Sequence, residues 1–252
     1  VGSARAIGRV RPSMTAMANA MARLVEELSG STRRDGARIV QAARKGCPRE
    51  AGARHDASAR LNAHAESLLH GTVVTLSYSS TVAAALVHCR ERVHRVVVGE
   101  GRPGFEGRKM AERLTAQGID VTLVTDAGAA SSIARADSVA VGADTITATG
   151  DVVNKAGTYP LALAAKDQKK PLYVLADTLK ISPHRKPPQL EVMPPGELWP
   201  GAPDGVTPDN RYFDVTPARL ATAYVTEDGV VDRRWIAEKA RTFRRARKLL
   251  GI

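Results

Sequence analysis

A parallel α/β sheet between helix layers, preceded by a helical segment, is the fold class the sequence predicts. Three observations carry it. From Gly71 onward, short apolar runs alternate with helix-like stretches. The runs are almost continuously apolar, as in strands buried on both faces. Several of them end in polar, Gly-rich loops that feed a helix, which is where open α/β sheets hold ligands.

Residues 1 to about 70 read as a helical domain. Pro12-Ser13 is a start signal, and Met14, Met17, Met21, Leu24, Val25 and Leu28 follow at helical spacing, a stripe that suits packing better than a cofactor. Gly30-Ser-Thr32 interrupts, a second helix passes through Ile39 and Val40, and Gly46-Cys-Pro48 ends it. A third, Ala-rich helix carries Leu61, Ala65, Leu68 and Leu69. His55, His64 and His70 lie on or near it without a carboxylate or cysteine at metal-ligand spacing, so no metal site is expected.

The second domain, 71–252, opens with a strand at Val73–Leu76, followed by a helix from Ser79 to His88. Arg95–Val98 is the next strand, with Glu106 to Gln117 helical after it. Strands at Val121–Val124, Val139–Val141 and Leu172–Leu175 follow, all expected to be buried on both faces. A last strand, Ala223–Val225, precedes a basic helix whose Trp235, Ile236, Phe243 and Leu250 share a rough stripe. Between residues 183 and 208 lie eight of the fourteen prolines, so this insert is expected to lack regular structure and to act as a lid, partner surface or flexible segment.

The chain has 252 residues and a net charge of +11, which favours acidic partners such as phosphorylated metabolites, nucleotides or RNA. Its two cysteines, Cys47 and Cys89, are too few for a disulfide framework or a cysteine-rich metal centre. There is no membrane-length apolar run and no signal-peptide pattern, so a cytoplasmic protein without a membrane partner is expected.

The most informative run is Val139 to Lys166. It breaks at Gly142, and Asp144, Gly150, Asp151, Asn154, Lys155 and Gly157 crowd into what reads as a loop before a helix from Thr158. Asp144 can act as acid or base, Asn154 can donate and accept, and Lys155 is a point cation for an anion. The N–H groups of the helix that follows would face the same anion. The same residues also suit a plain surface loop held by glycines. A second loop, Gly99-Glu-Gly101-Arg-Pro-Gly104, fits the GxGxxG pattern of dinucleotide-binding proteins, with Asp126 where the ribose-binding acid would stand. Arg102 and Pro103 intrude where a pyrophosphate would need bare backbone. A third run, Thr75-Leu-Ser-Tyr-Ser-Ser-Thr81, can cap a helix or hold a phosphate through Ser79 and Ser80.

Gly142-Ala-Asp144 and Gly150-Asp-Val-Val-Asn154-Lys155-Ala-Gly157-Thr158 resemble the signature of one superfamily. It unites the alpha, beta and delta subunits of translation initiation factor 2B with the isomerases of methylthioribose-1-phosphate and ribose-1,5-bisphosphate. Glu100-Gly-Arg-Pro-Gly-Phe-Glu106-Gly107 resembles its ESRPxFEG segment, Ala176–Ser182 the segment ending in KF, Asn210–Pro217 the NPxFDxxP segment, and Arg11-Pro12-Ser13 the RPT segment. The resemblance spans about residues 11 to 232 and implies a Rossmann-like parallel-sheet domain with a small N-terminal helical domain. It also implies a ligand, a sugar phosphate or nucleoside monophosphate, held by Arg11, Ser79, Ser80, Arg102, Asn154, Lys155 and Lys180, with Arg102 facing the pocket near Lys155. No cofactor is implied. Asp144 matches the isomerases' catalytic Asp, while Ser77 stands where they carry a Cys, and the Ser-Tyr-Ser string is closer to the initiation-factor branch. A sugar-phosphate or nucleotide-binding protein of the initiation-factor 2B type is thus the first reading. An aldose–ketose isomerase using Asp144 and a partner other than Cys is the second, and a dinucleotide-binding protein the third. Self-association is expected, with Trp235 and Phe243 of the C-terminal helix as exposed candidates, as is contact with a translation factor or RNA.

Overall fold

The computed structural model describes residues 15, 16, 18–20 and 55–250. The expectations for the Met stripe, the helix through Ile39, Cys47 and Arg11 lie outside the described residues.

A helix over 55–65 (α1) leads into β1 (Gly71–Leu76), and strands and helices then alternate. They are α2 (Ser80–His88), β2 (Val93–Gly99), α3 (Glu106–Thr115), β3 (Asp120–Val124), α4 (Asp126–Ser132) and β4 (Ser138–Val141). A hairpin of β5 (Thr145–Ile146) and β6 (Val152–Lys155) precedes α5 (Thr158–Asp167) and β7 (Leu172–Leu175). A short turn α6 (Pro195–Leu198), β8 (Phe213–Thr216), β9 (Ala223–Thr226), β10 (Gly229–Val231) and the long α7 (Arg233–Leu250) complete the chain.

Among the described residues seven strands form the main sheet, in the order β10-β9-β7-β4-β1-β2-β3. All its pairs are parallel except β10 against β9. Side chains alternate between its faces, and each face meets its own helices. Val73, Val96, Val98 and Ala140 pack with Leu61, Leu86, Met110 and Leu114 from α1, α2 and α3. Val74, Val97, Val139 and Val141 pack with Ala129, Leu161, Ala165, Ile236, Ala240 and Phe243 from α4, α5 and α7. The expected strands in 73–76, 95–98, 139–141, 172–175 and 223–225 all fall within observed ones.

Four expectations need correction. Among the described residues β3 is an edge strand, not a doubly buried one: it pairs there only with β2, and Leu123 is exposed. Its polar Asp120, ion-paired to Arg95 at 2.7 Å, suits an edge open to water. The stretch from Gly142 to Gly157 is no continuous loop: β5, β6 and β8 form a second, antiparallel sheet, with Asn154 opposite Asp214 and Lys155 opposite Phe213. The Pro-rich insert holds one helical turn, α6, begun by a proline whose missing N–H costs a first turn nothing. Phe243, taken as an exposed residue for self-association, is buried against the sheet, and Trp235 is half-buried.

Cys89 is buried, and burial pushes its thiol up to about 11. Among the described residues no group of His, Cys, Asp and Glu is arranged to hold a metal ion, and no helix is long and apolar enough to cross a membrane. The α7 contact is the most direct check on this packing. Phe243→Ala should lower the unfolding free energy by about 3–5 kcal/mol. Arg241→Ala, on the exposed side of the same helix, should change it by less than about 0.5 kcal/mol. Equal shifts of the two urea midpoints would contradict the packing described.

Candidate functional site

The sheet order sets the location. From β1 the chain adds β2 and β3 on one side, then returns to add β4 and β7 on the other. The loops leaving β1 and β4 therefore diverge above the carboxyl ends of two neighbouring strands, the place where open α/β sheets form a ligand crevice. They still touch at one point. A Cβ on Gly142, after β4, would lie 2.6 Å from the Oγ of Ser79, after β1. Ser79 caps α2, its Oγ accepting from Val82 N–H at 3.3 Å, and Ser80 begins that helix.

Ser77 directly follows β1 in the left-handed region, with φ 59°, its N–H on Gly99 O at 3.0 Å. Its hydroxyl donates to Oε2 of Glu106 at 3.3 Å. The other carboxylate oxygen, Oε1, accepts from Lys155 Nζ at 3.1 Å. Lys155 reaches this point from β6, one-tenth exposed, and its ammonium lies 4.3 Å from the centre of the Tyr212 ring. Asn154, beside it, donates to the Thr158 hydroxyl at 3.0 Å. Asp144 follows β4, its backbone N–H on Val153 O, and its carboxylate faces Lys180 Nζ at 3.6 Å. Burial pushes the Asp144 carboxyl above its ordinary range, with Lys180 and, more weakly, Lys155 opposing that shift. The turn bearing Lys180 is pinned from two sides. Asn19 Nδ2 donates to the carbonyls of Leu179 and Ile181, both at 2.8 Å. From below, the Glu227 carboxylate accepts from the N–H and hydroxyl of Thr178.

Two backbone sites that resemble anion cradles are already filled. The N–H groups of Gly101 and Arg102 both donate to the Asp126 carboxylate at 2.7 Å, so the GxGxxG loop is tied to Asp126 where a pyrophosphate would have to sit. Gly101 is needed for another reason: its φ is +76°, and a Cβ there would lie 2.7 Å from the Ser77 hydroxyl. At the start of α5, Asp214 Oδ2 takes the N–H groups of Gly157 and Tyr159 at 2.8 and 3.0 Å. Burial pushes the Asp214 carboxyl up, and these backbone N–H groups oppose the shift. The expectation that this helix start would face a ligand anion is corrected accordingly.

Of the expected site residues, Asp144, Lys155, Lys180 and Ser77 come together around two carboxylate–ammonium pairs, with Ser79, Ser80 and Asn154 on the surrounding elements. Arg102 has other partners. Its guanidinium donates to Leu198 O at 3.2 Å and lies over the Phe105 ring, so it faces the Pro-rich insert. That insert is fastened further by Asn210 Nδ2 on Pro194 O at 2.8 Å and by the Tyr212 hydroxyl on Glu197. Sequence reasoning gave no role to Glu106, Asp214, Tyr212, Asn19 or Glu227. Glu106 and Asp214 stood inside quoted motifs, and a buried Asn in an Ala- and Met-rich helix was a signal for Asn19.

The initiation factor 2 subunit family model matches residues 2–233. A 5-deoxyribose 1-phosphate isomerase of Moorella thermoacetica is 40% identical over 190 residues, which cover 69% of this chain and 54% of that protein. A ribose 1,5-bisphosphate isomerase of Archaeoglobus fulgidus is 37% identical over 167 residues, covering 64% of this chain and 53% of that protein. The chain thus spans about half the length of the curated relatives it matches. Among solved structures, the Pyrococcus horikoshii translation initiation factor eIF-2B superposes with a TM-score of 0.71 at 31% identity, covering 89% of this chain and 78% of that one. The 5-methylthioribose 1-phosphate isomerase of the same organism gives a TM-score of 0.71 at 22% identity over 96% of this chain and 86% of that one, and so shares the fold. Sheet order, strand-end loops and the extent of the sequence match agree: this chain belongs to the initiation factor 2 subunit family.

Proposed function

We propose that the chain binds a phosphorylated sugar, or a nucleoside monophosphate, in the crevice above β1 and β4. The observation that carries this reading is the convergence of Lys155 and Lys180, from two different strand-end elements, on one acid-lined space. A dianionic phosphate needs charge-assisted donors, and each ammonium supplies them once it leaves its carboxylate partner. Ser79 and Ser80 flank the same opening. Asp144 then faces the sugar, because a carboxylate against the phosphate would be repelled. Relatives named as sugar-phosphate isomerases support this ligand class over a dinucleotide, and so does the Asp126 carboxylate in the glycine loop.

Aldose–ketose isomerisation is the second reading. Asp144 favours it: burial keeps its carboxyl protonated to higher pH than an exposed one, as an acid in such a reaction requires. The basic, exposed side of α7, with Arg234, Arg241 and Arg244, suits contact with RNA or a translation factor. Self-association would use surfaces other than the buried Phe243.

Lys155→Ala should weaken binding of ribose-1,5-bisphosphate or methylthioribose-1-phosphate by about 1.5–3 kcal/mol in calorimetry. Asp144→Asn should leave that affinity nearly unchanged and remove any turnover. Unchanged affinity in Lys155→Ala for every sugar phosphate and nucleotide tested would refute the pocket. Titration with NADH or FAD should give no saturable binding, and light scattering at micromolar concentration should give a mass above that of one chain.

A further inference from the structure

We propose that Glu106 is the second acid–base group of this site, held beside Ser77 and freed from Lys155 when a ligand's phosphate draws that ammonium away. The proposal rests on the reading of the crevice as a sugar-phosphate pocket and extends it from binding to chemistry.

The loop between β2 and α3 is shaped around this carboxylate. A Cβ on Gly104 would lie 2.7 Å from Oε1 of Glu106, and one on Gly101 would lie 3.0 Å from Oε2. The glycines that imitate a dinucleotide motif therefore make room for an acid side chain folded back over them. Ser77 completes the setting. A non-glycine residue in the left-handed region is strained, and here the strain holds a hydroxyl against Glu106. Glu106 itself remains about one-third exposed.

Charge decides when it can act. In the empty crevice the pairs Glu106–Lys155 and Asp144–Lys180 balance, two carboxylates against two ammonium groups. An entering phosphate is a stronger attraction for both lysines than either single carboxylate. As the ammonium groups turn to it, Glu106 loses its counter-ion and is left ready to take a proton, while Asp144, losing the Lys180 ammonium that opposes the upward push of burial, takes one up from solvent. One site then holds an acid and a base, and a Ser hydroxyl alone, being neither, is no longer needed for that role.

With a furanose 1-phosphate bound, Asp144 gives its proton to the ring oxygen as the bond from C1 to that oxygen breaks, the bonding pair staying on oxygen. Glu106 takes the proton from C2, and that bonding pair forms the C1=C2 double bond. The C2 hydroxyl then passes its proton to the Asp144 carboxylate as C2=O forms, and the C1=C2 pair takes onto C1 the proton on Glu106, which has meanwhile exchanged with solvent at that partly exposed carboxyl. The product is the open-chain 2-ketose with its phosphate retained, and both carboxyl groups return to their starting states.

The test uses the whole chain with ribose-1,5-bisphosphate and methylthioribose-1-phosphate as probes. Calorimetry reads binding, ketose formation reads turnover, and NMR of product made in D2O reads deuterium at C1. Wild type should bind a probe, convert it and incorporate deuterium at C1. Glu106→Gln should bind within about threefold of wild type and lose turnover by about 10²–10⁴-fold. In Glu106→Ala, added formate should restore part of the rate, which no purely structural role would allow. Binding without turnover in wild type, or wild-type turnover in Glu106→Gln, overturns the proposal and leaves the binding pocket standing. No binding at all removes the pocket and the proposal together. Should neither variant fold, product without deuterium at C1 would still overturn it.

Discussion

Between β1 and β4 the chain stops adding strands on one side of the sheet and begins on the other, and everything at the site follows from that reversal. Two adjacent parallel strands send their loops in opposite directions, so the space above their ends is left uncovered by either connection. Elements far apart in the chain then reach into it. β6 and β8 stand over it as a separate small sheet, the turn after β7 brings Lys180, and the loop after β2 brings Glu106. The close approach of Gly142 to Ser79 fixes how near the two rims come.

Burying charge in such a crevice is costly unless it is paired, and pairing is what the site does. Each ammonium has a carboxylate within reach, and the Lys155 ammonium also lies against the Tyr212 ring. Supporting residues are themselves satisfied from behind. Glu227 holds Thr178, Asn19 bridges Leu179 and Ile181, and Asp214 closes the start of α5. The side chains that face the crevice are thereby set by backbone already bonded elsewhere, rather than by one another alone.

Much of this was legible in the chain. The β1, β2, β4, β7 and β9 runs stand out because strands inside a parallel sheet are apolar on both faces. β3 misleads because Val121 and Leu123 look the same whether a strand is central or at an edge, and neighbour identity is not written in a strand's own residues. β6 was hidden because Val152-Val153 is too short to signal a strand without its partner, β8, some sixty residues on. The motifs singled out Asp144, Lys155 and Lys180, and the structure pairs Lys180 with Asp144 and Lys155 with Glu106. Arg102 was expected beside Lys155; a long side chain has several reachable partners, and here its guanidinium donates to the Leu198 carbonyl of the insert. Glu106 escaped notice since a Glu in the first turn of a helix already has an ordinary explanation.

Asp126 and Asp214 occupy the backbone N–H groups that the glycine loop and the start of α5 present. In the proposed pocket, holding an anion falls instead to two lysines. An ammonium on a flexible stem is a nearly isotropic charge, unlike a rigid row of amides that reads phosphate geometry. Such a pocket is permissive at its anionic end and discriminating at its sugar end, where Asp144 and Ser77 are fixed by the backbone. A scaffold of this kind could exchange one phosphorylated ligand for another by changing a few residues around the sugar, with the sheet and the two lysines proposed to hold phosphate left untouched.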